Sequence, residues 1–441
     1  MTQTFLSIFG NKSDDVKICG KGVVVEMKSK MKSKMKSLKF GLASVAVTVA
    51  MWLASGCGSG NGNAGVQSLP VLDIGQAMEN STPVKMSRYF SDIEYIPLET
   101  SADVLVTDVS MTNIFPSDDR IYISSFRRVG ATDVYSFDYT GKNLPFKAKS
   151  GRAEGEYTLG HNLVPDGDNV YMIDWTSVLK YDKEGNYLNS FPLDGNGFKF
   201  LGRYAYINGE FIYIMEDAEK GEDIITIQDS NYNVRLQKSL GKFKMVTYMR
   251  DVTGDGSMTP IMARSTNPMI YQSNDKAMLL GYGDTLYSIN TADGTLVQEY
   301  LLQYGKYHRN EDCVEVRAFF VETPQFVLYR AVFSKTGYPN LETKDRVALC
   351  LYDKSTGKST RLPVNEEYMS GTPYKACGFD NDLDGGMLFH PICIRGDKMY
   401  QLVNAYEFIE HAESTGSKAM QEVAAKLNEE SNPVLVVATL K

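Results

Sequence analysis

Asp380-Asn381-Asp382-Leu383-Asp384-Gly385 puts three carboxylates at alternate positions ahead of a glycine. A calcium loop begins with that spacing, because alternate side chains of a tight loop converge on one hard cation. Asp380, Asp382 and Asp384 are therefore candidate calcium ligands, although Pro391 stands at the twelfth position, where such a loop needs a bidentate Glu. The alternative is a turn in which Asp and Asn bond the backbone while Gly385 and Gly386 take positive φ. Asp251–Gly256 is a weaker copy, with Met262 at its twelfth position. Gly357-Lys358-Ser359-Thr360 repeats the tail of a phosphate-binding loop, but Tyr352 occupies the place of the leading Gly and no helix is expected to follow. Arg395-Gly396-Asp397 reads as a hairpin turn. The four histidines, His161, His308, His390 and His411, share no metal-ligand spacing. No Gly-x-Ser-x-Gly elbow follows Cys57.

Cys57 has chemistry of a different kind. Met27–Lys39 holds six lysines and no acid, Phe40–Leu53 is an uncharged run of 14 residues, and Ala54-Ser55-Gly56 leads into Cys57. A basic region, an apolar region and small residues before a cleavage point make a secretion signal. The apolar run is short of the ~20 residues that span a bilayer as a helix. Leu53-Ala54-Ser55-Gly56-Cys57 resembles the lipobox of bacterial lipoproteins, in which the Cys is acylated through a thioether and becomes the first residue. Leu53 stands one place earlier than the usual Leu. Residues 1–56 are thus the signal region, with translation expected to begin at Met27, Met31 or Met35, because residues 1–26 carry acids and fit no targeting pattern. Residues 57–68 are the lipidated Cys and a Gly/Ser/Asn tether.

The cysteines after Cys57 are Cys313, Cys350, Cys377 and Cys393, and an envelope location permits disulfides. Cys377 and Cys393 fall on neighbouring expected strands and are the pair favoured by that reading, against the alternative of buried thiols acting as small hydrophobes. Net charge is −8, split into +6 over residues 1–56 and −14 after them. So acidic a mature chain excludes nucleic acid as a partner and argues against anionic lipid surfaces.

The elements that would position these groups repeat. Five turns of the form Asp/Asn-x-x-(x)-Gly/Asn recur: Asp138…Gly141, Asp182…Gly185, Asp229…Asn233, Asn290…Gly294 and Asp353…Gly357. Asp opens such a turn through its side chain, and Gly or Asn takes the positive-φ position. A strand-forming run precedes each, and spacings of 44, 48, 61 and 63 residues fit four-stranded propeller blades with insertions. A sixth unit would hold strands Tyr374–Phe379, Met387–Cys393, Lys398–Val403 and Pro433–Leu440. Within it, Ser417–Glu430 has its apolar residues on one helical face and predicts one short inserted helix. Pro433–Leu440 and the early strand Ile93–Glu99 are expected to close the ring. Residues 69–441 thus read as an all-β, six-bladed propeller behind a lipoprotein signal peptide and flexible tether.

Several stretches resemble the six-bladed β-propeller lipoproteins of gut anaerobes, a family without an assigned activity. They are Glu94-Tyr95-Ile96-Pro97-Leu98-Glu99-Thr100, the loop Ser150-Gly151-Arg152-Ala153-Glu154-Gly155-Glu156-Tyr157, the loop Asn381–Gly386 followed by Phe389-His390-Pro391, and Asn432-Pro433-Val434-Leu435. The resemblance implies fold and family and leaves the chemistry open.

Two functional readings follow. In the first, the propeller is a non-catalytic binding or scaffold module for a peptide, sugar or protein. Loop residues Arg127, Arg128, Arg152, Glu154, Glu156, Trp175 and Tyr282 would supply charge-assisted bonds and ring stacking, with no cofactor. The 150–157 loop could equally be a staple between blades. In the second, it is a calcium-dependent hydrolase, lactonase or lyase working in the channel, with Asn113, Asn162 and Asn208 near inner strands. The location is the envelope, lipid-anchored, expected at the outer membrane facing the periplasm, since no Asp directly follows Cys57. Replacing Cys57 by Ser is expected to abolish partitioning into the detergent phase; unchanged partitioning would remove the lipid anchor from this account.

Overall fold

The repeated Asp turn has one place in the structure, between the third and fourth strands of a four-stranded antiparallel sheet. The computed structural model describes residues 68–441 except 108, 110–111, 127–131, 161, 175–176, 193–203, 218, 244, 252–256, 265–267, 282–283, 308–313, 334–341, 343–345 and 366–375, together with strands Val16–Cys19 and Gly22–Val25. The signal region's candidate lipid site Cys57, and Arg127, Arg128, Trp175, Tyr282 and Cys313, lie outside the described residues. Residues 70–246 and 262–441 make one compact unit. A second takes in residues 1–69 and 247–261, where the hairpin Val16–Cys19/Gly22–Val25 pairs Val24 with Tyr248.

The larger unit is a six-bladed β-propeller. With strands lettered a to d in each blade, blade one is Thr112–Pro116, Ile121–Phe126, Thr132–Phe137 and Asn143–Leu144. Blade two is Leu163–Asp166, Asn169–Ile173, Ser177–Asp182 and Tyr187–Pro192. Blade three is Tyr204–Ile207, Glu210–Asp217, Glu222–Asp229 and Val234–Lys242. Blade four is Met269–Ser273, Lys276–Leu280, Thr285–Ile289 and Leu296–Gln303, and blade five is Val314–Glu322, Phe326–Phe333, Val347–Asp353 and Lys358–Arg361. Strand a of blade four lies between the a strands of blades three and five, so the a strands surround the axis and the d strands form the rim.

Blade six takes strands a to c from the end of the chain, Cys393–Arg395, Lys398–Val403 and Val434–Leu440, and strand d from its beginning, Phe90–Pro97. The closing pair is antiparallel, with Val434 opposite Pro97, Val436 opposite Tyr95 and Ala438 opposite Ile93. Five turns serve six blades because the missing turn is where the two ends of the chain meet. Both faces of Val434–Leu440 are buried: Val434, Val436 and Ala438 pack with Phe326, Phe379 and Phe389, while Leu435 and Val437 pack with Ile121, Ile123 and Phe137.

Each Asp turn does more than reverse the chain. In blades one to four it seats against the rim of the preceding blade. The Gly141 carbonyl accepts from Glu99 N–H at 2.8 Å, and at φ +85 a Cβ there would stand 2.1 Å from the Pro97 carbonyl oxygen. The Glu184 carbonyl accepts from Lys147 N–H at 2.8 Å, and Arg235 donates to the carbonyls of Thr291 and Ala292. Blade three departs from the expected pattern, since Tyr232, not Asn233, has positive φ (68°). Its ring stacks on Phe191 of blade two at 3.5 Å, and the packing compensates a conformation that L side chains disfavour.

The segment ahead of Phe90 is a strap that the sequence does not announce. Val71–Asp73 adds a parallel fifth strand to the rim of blade four. Asp73 caps helix Ile74–Glu79, accepting from Gln76 N–H, and Gln76 accepts from Ser359 N–H on the rim of blade five. Arg88 and the Tyr89 hydroxyl then meet Asp353. Burial alone would raise that carboxyl; bonds from Ser355, Tyr89 and Thr356, with Arg88 alongside, hold it down at about 2. The strap thus covers two sheet edges that would otherwise be open. Blade three's rim instead carries Arg235, Lys238 and Lys242, charges that discourage edge pairing.

Three expectations need correction. Two helices, Ala405–Ser414 and Lys418–Ala424, stand between strands b and c of blade six where one over 417–430 was expected. Residues 376–379 and 387–392 are not blade strands: among the described residues 376–392 make the isolated bridges Val364–Cys377, Lys85–Asp380 and Phe379–Phe389, and only Cys393 enters strand a, while Tyr374 and Lys375 lie outside the described residues. The expected Cys377–Cys393 disulfide does not form. Cys377 lies in the core between blades five and six and Cys393 packs against the core between blades six and one, so blade six itself separates them.

Deleting Asn432–Lys441 removes several side chains whose burial contributes roughly 1.5–3 kcal/mol each, against a total of ~5–15 kcal/mol for a typical domain. The truncated chain is expected to lose its cooperative thermal transition; an unchanged melting temperature would refute closure by this strand.

Candidate functional site

The alternation of strand direction sends all a–b and c–d connections to one end of the ring and all b–c and d–a connections to the other. The first end is built from tight turns. Gly167-Asp168, Asn208-Gly209 and Gly396-Asp397 are two-residue a–b hairpin connections with φ of 56° at Gly167, 52° at Asn208 and 59° at Gly396. Arg395-Gly396-Asp397 is thus a hairpin turn, as expected. The second end carries the long connections, among them residues 145–162, 362–392 and 404–433.

Of the seven residues singled out from the sequence, Arg152, Glu154 and Glu156 are described, and they belong to a connection of that long-loop end. Arg127 and Arg128 fall in the b–c connection of blade one, Trp175 in that of blade two and Tyr282 in that of blade four. Arg152, Glu154 and Glu156 belong to the connection from blade one to blade two. Only this last group lies among the described residues, and its members differ. Arg152 and Glu154 are exposed. The Glu156 carboxylate turns back and accepts from Ala153 N–H at 2.9 Å, while Gly151 N–H donates to the Tyr157 carbonyl at 2.9 Å. A Cβ at Gly151 would overlap the Glu156 carboxylate and displace it from this position. Tyr157 is buried, its hydroxyl donating to the Thr132 carbonyl of blade one at 3.0 Å. Tyr181 of blade two donates to the Gly155 carbonyl at 3.0 Å. The loop is therefore a staple between two blades, and Glu156 serves the staple. Thr158 extends it by donating to the buried Asp174, a carboxylate that sequence reasoning did not single out.

The Asp380 loop is also internally committed. Asp382 accepts from Ser87 through both oxygens, at 2.8 Å from the N–H and 2.7 Å from the hydroxyl. Asp384 accepts from the Tyr95 hydroxyl at 3.2 Å, Asn381 Nδ2 at 2.7 Å, Gly386 N–H at 3.0 Å and the Ser417 hydroxyl. Burial and the Asp384 carboxylate push the Tyr95 phenol up, so it remains a donor. Burial, with Asp382 beside it, raises the Asp380 carboxyl, opposed by Lys85. Asp382 and Asp384 face different partners, and N–H and O–H donors occupy oxygens of both that a cation would need. Among the described residues no three His, Cys, Asp or Glu side chains converge as a metal site. Asp382 and Asp384 thus bond backbone and neighbouring side chains as in the turn reading, but of its two glycines only Gly385 has positive φ (74°). The asparagines of the enzymatic alternative also diverge: Asn162 precedes strand a of blade two at the long-loop end, Asn208 sits in a tight turn at the opposite end, and Asn113 is exposed on strand a of blade one.

Replacing Tyr157 by Phe leaves the buried Thr132 carbonyl without its donor and is expected to cost about 1–3 kcal/mol of stability. Arg152→Ala should leave unfolding within about 0.5 kcal/mol of the parent. Denaturant titration checks both, and equal effects would contradict the staple.

No curated protein matches the sequence. Among solved structures, a protein described as exported, from Bacteroides fragilis NCTC 9343, is similar at 16% identity over 84% of this chain and 99% of that one, with a TM-score of 0.56. That likeness supports the propeller fold. The Pan2 WD40 domain of Neurospora crassa (9% identity, 81% and 98% covered, TM-score 0.36) and a quinonprotein alcohol dehydrogenase-like protein of Bacteroides thetaiotaomicron VPI-5482 (12%, 57% and 65%, 0.30) are too distant to bear on this chain. Over residues 69–439 the sequence matches one family from end to end, and the chain belongs to it: the family described as Domain of unknown function (DUF4934).

Proposed function

We propose that this propeller is a binding or scaffold module of the bacterial envelope, anchored through lipid on Cys57 and presenting its long-loop end to a peptide, sugar or protein. The observation that carries the reading is the inequality of the two ends. One end is closed by tight turns, whereas the other gathers the long connections, with Arg152 and Glu154 exposed on a rigid staple. Rigid backbone with outward charge suits recognition, because little ordering entropy is lost on binding. Asp382 and Asp384, two of the three carboxylates best spaced for calcium, are held by the protein's own donors, which favours binding over channel catalysis. The basic, apolar and small-residue order before Cys57 supports export and lipidation, and the similar protein from Bacteroides fragilis is itself described as exported. No helix among the described residues is long and apolar enough to cross a membrane. Attachment at the outer membrane facing the periplasm is part of the proposal.

The test is a panel of peptides and oligosaccharides screened against the purified chain. Ligands found there should lose affinity in Arg152→Ala/Glu154→Ala at unchanged melting temperature, and keep it in Asp168→Asn at the tight-turn end. Loss only in the second variant would place binding at the wrong end.

A further inference from the structure

Two rims of the ring end in long strands of opposite charge whose outer edges are open. The other rims are short, uncharged or covered. Strand d of blade one is the two residues Asn143–Leu144, and that of blade two, Tyr187–Pro192, has no charge and ends in proline. The rims of blades four and five carry the strap. Strand d of blade three, Val234–Lys242, and strand d of blade six, Phe90–Pro97, are each the last strand of their sheet. Backbone N–H and C=O groups along such an edge are a template for a further strand. The blade-three rim carries Arg235, Lys238 and Lys242 and no acid, whereas the blade-six rim carries Asp92 and Glu94 and no base. Lys238, Asp92 and Glu94 are exposed. Asp92 and Glu94 form no salt bridge among the described residues. Arg235 is taken up by Glu210, and Lys238 has Asp293 of blade four in its neighbourhood.

The two edges also match in the direction of their side chains. Lys238 stands opposite Ile225, which belongs to the core between blades three and four. Glu94 stands opposite Val437, which belongs to the core between blades six and one, and Asp92 lies two residues before Glu94 on the same face. Directly opposed residues share a face of the sheet. Lys238 and Glu94 therefore both project from the face of their blade that looks toward the following blade. When two such edges meet side by side, these faces form one surface only if the strands run antiparallel. Lys238 is the fifth of nine residues in its strand and Glu94 the fifth of eight in its own, so pairing the strands about their middles sets the two opposite each other.

We propose that each rim takes a second copy of this chain: Phe90–Pro97 of one copy pairs antiparallel with Val234–Lys242 of the next, with Lys238 facing Glu94 and Asp92 on the diagonal. Charge complementarity selects the occupant. Two blade-three rims oppose lysines and two blade-six rims oppose carboxylates, so each edge rejects its own kind and admits the other. The ring already accepts an added strand at its rim, since Val71–Asp73 extends blade four to five strands. Blades three and six stand opposite each other in a ring of six. A copy held at one rim keeps the other rim free, so the contact is head-to-tail and repeats as a line of rings. It leaves the long-loop end open and is independent of the ligand bound there.

Sedimentation velocity of the purified full chain in a non-ionic detergent is the test. Species larger than one chain are expected to grow with concentration and to weaken with added salt. Lys238→Glu and Glu94→Lys each set like charges opposite one another and should raise the concentration needed about tenfold. Lys238→Glu/Glu94→Lys exchanges the signs and should restore association, a rescue that a shared detergent micelle does not give. Copies carrying Lys238→Cys, mixed with copies carrying Glu94→Cys under air oxidation, should form a disulfide-linked pair that neither forms alone. Both positions are exposed, so circular dichroism should be unaltered in every variant. A single chain at every concentration, single reversals without effect, no rescue by the exchange, or linkage of Lys238→Cys copies with one another overturns the proposal. So does a chain that stays single yet binds a labelled peptide of alternating Glu and Val through Lys238, which gives the rim to a foreign strand.

Discussion

Strand Val434–Leu440 has no partner on its outer side unless Phe90–Pro97 supplies one, and both of its faces are core. Everything else in the ring depends on that pairing. Blades bury their faces only against neighbours, so a ring left open exposes two apolar faces together with an unpaired edge. The strap from Val71 to Tyr89 extends the same device backward along the chain. It binds the rims of blades four and five before the strand of blade six begins, so the start of the globular region clasps half the ring.

Legibility in the sequence followed from how local each interaction is. The Asp turns could be read because their bonds close within four residues, as when Asp182 accepts from Glu184 N–H and Asn186 N–H. The closing strands could be read because both faces are apolar. The composition of blade six could not, since strand order along the chain does not reveal which strand pairs with which, and the partner of Val434–Leu440 begins 344 residues earlier, at Phe90. Helix Ala405–Ser414 was hidden by Tyr, Phe and Ile residues that suit strands equally well. The cysteine pair failed on the face of a sheet, a property that one residue of register reverses.

At the site, connectivity was legible and roles were not. Arg152, Glu154 and Glu156 fell at the long-loop end because a residue between blades must lie there. Whether a charge serves the ligand or the loop depends on distances of a few ångströms. Arg152 and Glu156 are four residues apart in one loop, yet one faces outward and the other caps its own backbone.

The stretches through which this chain resembles its relatives turn out to be joints. Ser150–Tyr157 staples blade one to blade two, and Asn381–Gly386 latches the closing strand to the inserted helix through Asp384, Tyr95 and Ser417. Glu94–Thr100 and Asn432–Leu435 close the ring. A joint demands particular side chains, such as a glycine where a Cβ would strike a carboxylate or an Asn that serves two carbonyls at once. A ligand surface on such a frame can change without disturbing it. Features that reveal the family therefore specify the architecture, and specificity has to be sought in side chains that the joints do not use, such as the exposed Arg152 and Glu154 on the outer side of a staple.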